Sequence, residues 1–177
     1  MVANANNPQG FVDLVEEGES TSGSSWTLLW KRLLQQKVPP KIKIFAWRTY
    51  VNGLPTMQNL NHRGVHCSSF CPLCDKAIET IAHTLLHCDH AKMTWAFWYN
   101  CPVDLSTSCD LVDIALNFIA KGSSNDLELF FVVAWSIWWN HNQAIHEDSS
   151  SPPIHAWEMA GGVLAEFKAA CSCPVLP

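Results

Sequence analysis

Four metal-type side chains fall within one short stretch of this chain: Cys71, Cys74, His83 and Cys88, spaced C-x2-C-x8-H-x4-C. In Cys71-Pro72-Leu73-Cys74 two thiols are separated by two residues, one of them proline. That suits a tight knuckle aiming both sulfurs at one ion. Zinc then needs two more nitrogen or sulfur ligands to close a tetrahedron. His83 and Cys88 supply them if the helix carrying His83 ends near His87, because five α-helical residues leave two side chains roughly 140° apart. His87 follows His83 by four residues and shares its helical face, so Cys71, Cys74, His83 and His87 form an alternative set. A CxxC pair lodged in a core, with histidines nearby by chance, is the plain alternative to metal. Four ligands at such compact spacing favour the ion.

The rest of the cysteine inventory agrees. The chain has eight cysteines, an even number that could mean disulfides in an exported protein. Residues 1–10 lack the basic region and apolar core of an export signal. Reduced thiols in a nuclear or cytoplasmic protein are therefore expected, and metal is their favoured use. Cys67, three residues before Cys71, reads as a free or buried thiol rather than a spare ligand. A further metal site at His141, His146 and His155 is not expected.

Hydrophobic periodicity points to a mainly α fold. Residues 1–24 are rich in Asn, Gly, Ser and Glu and read as a disordered tail. Ser25 can cap a helix whose apolar stripe is Trp26, Leu29, Trp30, Leu33 and Leu34. Pro39-Pro40 stops it and opens a second helix to about Asn52, where Gly53 ends it. Thr56 can cap a short third helix through His62, and another is expected from Glu79 to about His87. Glu79 reads as an acid favoured at that helix N-terminus, or as a partner for the free ring nitrogen of His83. Residues 91–99 continue as helix, and His90 is expected at the surface. A helix follows from Asp110 to Gly122. Leu127 to His146 is the most apolar stretch, but its uninterrupted core is too short for a bilayer span of about 20 residues. It reads as a buried helix with Trp135, Trp138 and Trp139 crowding one side. A last helix carries Ile154, Trp157, Gly161, Leu164 and Phe167. The expected organisation is a tail over 1–24, a zinc-binding module over 25–100, a helical region over 101–172 and a tail over 173–177.

The net charge of −5 conceals an asymmetry. Residues 26–74 carry Lys31, Arg32, Lys37, Lys41, Lys43, Arg48 and Arg63 and no acid, whereas the flanking segments are acidic. A basic block feeding a zinc knuckle is what binding to a phosphate backbone requires. A solvated face balanced by the acidic second half after folding is the competing explanation.

The residues around the knuckle resemble a known family. Trp26 and Trp30, then Val38-Pro39-Pro40-Lys41-Ile42-Lys43-Ile44-Phe45-Ala46-Trp47-Arg48, are similar to the opening of the reverse-transcriptase zinc-binding domain of plant non-LTR retrotransposons and host genes derived from them. Leu54-Pro55-Thr56, Leu60, Arg63-Gly64, Cys71-Pro72-x-Cys74, Glu79-Thr80-x-x-His83, Cys88 and Trp95 continue the pattern in order. The resemblance spans residues 26–98 and implies Cys71, Cys74, His83 and Cys88 as the ligands of Zn2+, favouring Cys88 over His87. Trp138-Trp139 with Asn142 and His146 resembles the stretch that follows this domain in plant copies.

Catalysis is not expected. The acids are scattered singly, without the clustered carboxylates of two-metal nucleases, and no nucleophile set or Gly-rich phosphate loop is recognisable. A metal closed by four protein ligands leaves no position for a reactive water. In related retroelement proteins a polymerase lies upstream and a ribonuclease H domain often follows, and neither is recognisable here. Two functions follow from the sequence. One is a non-catalytic zinc module contacting the RNA or DNA backbone weakly and without sequence preference through the seven basic residues. The other is a host-retained structural or protein-interaction domain in which zinc only stabilises the fold. Neither a membrane nor a small-molecule substrate is expected as partner.

Overall fold

The computed structural model describes residues 21–106, 110–147 and 151–172, with side chains from residue 26 onward. The expected tails, apart from residues 21–24, and Cys109 and Cys173 lie outside the described residues. The described chain is mainly helical, as its periodicity predicts. In order it forms α1 (Thr21–Gln35), α2 (Pro40–Tyr50), α3 (Met57–His62), α4 (His83–His87), α5 (Asp89–Trp95), α6 (Leu111–Lys121), α7 (Ser124–His146) and α8 (Pro153–Ser172).

Helix ends follow local chemistry. α1 begins at Thr21, one turn before Ser25, because extending a helix that is already nucleated adds a bond per residue without a new nucleus. Pro40 opens α2 at a position where its missing N–H is not needed. α2 ends at Tyr50, slightly earlier than expected. Asn52 rather than Gly53 takes the left-handed turn (φ 50°), while the Gly53 N–H closes back on the Arg48 carbonyl at 2.7 Å. Thr56 caps α3 by accepting from the Asn59 N–H. Asp110 caps α6, and Ser123 with Asp126 forms a reciprocal capping box that starts α7.

One apolar core runs from Trp26 to Ala160 through every long helix. α7 is its axis: Leu127, Phe130, Phe131, Val132, Val133, Ala134, Ile137 and Trp138 are all buried. Phe130 stacks with Trp95 from α5 at 5.5 Å and meets Phe118 from α6 at 4.9 Å. α8 lies along α7 with Ala156 and Ala160 fully buried, while Trp157 and Leu164 of the expected stripe pack against the core partly buried. Trp139 and Leu34 face outward, because each stripe is narrower than its apolar composition suggests. Glu128 is buried against the α1–α2 junction, accepting the Lys37 backbone N–H at 2.8 Å and pairing with Lys168 of α8 at 2.6 Å. No helix among the described residues is long and apolar enough to cross a membrane.

Candidate metal centre

The knuckle is built by local backbone bonds. Phe70 and Ile78 form an isolated antiparallel bridge, the Cys71 N–H donates to the Ala77 carbonyl at 2.9 Å, and Glu79 N–H donates to Ser69 at 2.8 Å. Between these arms the Asp75 N–H closes on the Cys71 carbonyl at 2.8 Å, with Asp75 itself left-handed (φ 51°). The loop therefore turns sharply at Pro72–Asp75 and brings Cys71 and Cys74 to one side.

The second pair of residues arrives by a turn that the sequence argument did not foresee. The Thr80 hydroxyl caps the incoming helix by accepting the His83 N–H at 2.9 Å, so Glu79 precedes the helix instead of beginning it. α4 is then wound as a π-helix, with the Cys88 N–H bonded to the His83 carbonyl at 2.7 Å. An i→i+5 bond widens the turn and brings residues five apart closer in phase than an α-helix does. Together with the extended backbone of Cys88, this reduces the phase mismatch that an α-helix would impose on His83 and Cys88.

The structure brings Cys71, Cys74, His83 and Cys88 together, with their four ligand atoms within 4.8 Å of one another. Cys71 Sγ and Cys88 Sγ are 3.9 Å apart, and Cys74 Sγ lies 3.3 Å from His83 Nε2. With Zn–S near 2.3 Å and Zn–N near 2.0–2.1 Å, a tetrahedron has S···S and S···N edges of about 3.8 and about 3.5 Å. The donor set and its spacing fit zinc. His87, the alternative ligand, is not part of the group. Its Nε2 is buried elsewhere, without a hydrogen-bond partner, beside a cavity lined by Leu86, Lys92, Trp95 and Cys101. Cys67 is a half-buried free thiol outside the group.

Electrostatics match the crowding of donors. The thiol–thiol contact with Cys88 and burial push the Cys71 pKa up to about 12, while the same contact lowers Cys88. Two buried thiolates side by side need a cation between them. Burial lowers the His83 pKa, which favours the neutral, ligating imidazole.

Two buried residues complete the surroundings. Glu79, 1% exposed, accepts the Met57 N–H on Oε1 at 3.3 Å and reaches His141 Nε2 with Oε2 at 3.5 Å. It is thus neither a simple helix-terminal charge nor hydrogen-bonded to His83: the chain bends before the helix and turns the carboxylate toward α7. His141, also 1% exposed, stacks on Trp138 and sits with Cys71 and Glu79 in a second close group. Burial acts to lower the His141 pKa, but Cys71 and Glu79 override it and raise the value to about 9. The sequence offers His141 only beside His146 and His155, in a metal set that is not expected; its pairing with Cys71 and Glu79 has no signal, since the buried face of α7 also carries Glu128, Ser136 and Asn140. His90 is half-buried, its Nε2 near the Ser151 carbonyl and the Asn140 side chain, and not on the surface as expected.

The seven basic residues are distributed over α1, α2 and the loops around them. Lys31, Arg32, Lys37, Lys41, Arg48 and Arg63 are exposed, and Lys43 is half-buried. Lys41 lies over the Trp135 ring at 4.0 Å, and Lys43 Nζ donates to the Leu34 carbonyl at 2.8 Å, so both are engaged by the chain's own fold.

Residues 13–95 match the model of a family described as zinc-binding in reverse transcriptase, a span that includes all four clustered ligands. No curated protein and no solved structure matches the chain.

Proposed function

We propose that this protein is a non-catalytic zinc-binding module derived from a retrotransposon reverse-transcriptase protein. Its Zn2+ is held by Cys71, Cys74, His83 and Cys88, and its exposed basic residues contact a nucleic-acid backbone. The single observation that carries the metal reading is the grouping of those four ligand atoms within 4.8 Å. The family match over residues 13–95 supports the reverse-transcriptase lineage. Bound zinc supplies bonds that tie the knuckle to α4. Closed by four protein ligands, such a centre staples structure and leaves no site for an activated water.

Nucleic-acid contact rests on charge. Lys31, Arg32, Lys37, Lys41, Arg48 and Arg63 are exposed on a segment with no acid of its own. Binding through them is electrostatic, so affinity falls with salt at a log–log slope of about −0.7 to −0.9 per phosphate neutralised. Lys31, Arg32 and Arg48 changed together to Glu should abolish binding to a single- or double-stranded probe at low salt. Stability should hardly change, because exposed charges contribute little.

A second reading is favoured by Lys43, half-buried with its ammonium on the Leu34 carbonyl, and by Lys41, exposed but held over the Trp135 ring, since both cations already have partners within the chain. Here the chain is a host-retained structural or protein-interaction domain. Absence of RNA and DNA binding at low salt in a zinc-loaded protein selects this reading.

A further inference from the structure

Beside the knuckle three buried polar atoms lack a hydrogen-bond partner at ordinary geometry: Glu79 Oε2 and both ring nitrogens of His141. They belong to a group in which Cys71, Glu79 and His141 each offer a ligand-type atom within 4.8 Å of the others. Groups of this kind are costly to bury without a purpose that compensates them. Both side chains are also held from behind. The Met57 N–H at the start of α3 fixes the Glu79 carboxylate through Oε1. Trp138 fixes the His141 ring by stacking at 5.6 Å and 13°.

The charge of the metal centre supplies the purpose. Three thiolates and one neutral imidazole leave a divalent zinc with a net charge of about −1. Cys71, 0% exposed, carries its share of that excess where water does not reach. Within this group His141 is the side chain that brings an N–H, and Glu79 backs it.

We infer that Glu79 and His141 are positioning residues of the metal centre, a carboxylate–imidazole clamp on the Cys71 thiolate through which α7 is docked onto the knuckle. Metal binding and α7 docking are then one coupled equilibrium, and each strengthens the other by the same factor. The clamp reaches beyond the family-matched residues 13–95, because His141 lies outside them. The inference rests on the zinc reading above.

The test uses the full zinc-loaded chain, with release followed by the absorbance of the chelator 4-(2-pyridylazo)resorcinol. His141→Phe keeps a ring against Trp138 and removes the N–H. It should weaken zinc retention about 10–100-fold, the usual cost of losing such a partner. Glu79→Gln, which keeps an acceptor for Met57, should act in the same direction. In cobalt-substituted protein the thiolate-to-cobalt absorption band should move in His141→Phe, which a packing role alone would not cause. Metal should slow hydrogen exchange in α7 of the wild type and not of this variant. If His141→Phe does not fold, Glu79→Gln decides. Wild-type retention and an unmoved band in the variants overturn the inference alone. Wild type that keeps no zinc overturns the metal reading and the inference with it. A second metal equivalent, lost in His141→Phe, also contradicts the clamp and makes the trio a site of its own.

Discussion

Cys88 and His87 are neighbours in sequence with different surroundings, and that difference is testable. Cys88 Sγ sits 3.9 Å from Cys71 Sγ, while His87 Nε2 lies outside the ligand group. Cys88→Ser should therefore lose zinc, and His87→Ala should keep one equivalent, by elemental analysis of purified protein. The opposite pattern would exchange the two residues' roles. Acidification should release the metal, since protons compete for thiolates and imidazole and affinity falls with pH. The four clustered residues were legible because their spacing is local, within a knuckle and one turn. The Glu79–His141 contact was not, since it joins a loop to a helix far along the chain. A lone histidine on an apolar face is more often a satisfied core residue.

At the scale of elements, the long helices were legible from their periodicity and caps, and the short ones were misjudged in detail. Ser123 and Asp126 give α7 its start, so Ser123→Ala should cost about 1 kcal/mol in urea unfolding. Phe130 touches Trp95, Phe118 and Phe131, and Phe130→Ala should cost about 3–5 kcal/mol in the same assay. The π-turn at α4 was invisible to an argument based on α-helical phase, because the i→i+5 bond changes the phase itself. α3, α4 and α5 have six, five and seven residues. Isolated helices of that length are marginal. Chelation should therefore raise hydrogen exchange first within residues 54–98, with α7 holding longer. Loss of protection in α7 before the knuckle would reverse that order.

For the whole molecule, the two acidic segments and the basic one between them sum to a modest net charge of −5, which weakens any non-specific attraction to nucleic acid. The core is continuous from Trp26 to Ala160, so the knuckle's stability and that of the helices after it are linked through shared aromatic contacts. The proposed zinc centre of Cys71, Cys74, His83 and Cys88 offers three sulfurs and one nitrogen. Zinc K-edge X-ray absorption on the purified protein tests that directly. The expected shell is three sulfurs at about 2.3 Å and one nitrogen at about 2.0–2.1 Å, with one zinc per chain. A shell of two sulfurs and two nitrogens, or one dominated by oxygen, would contradict it.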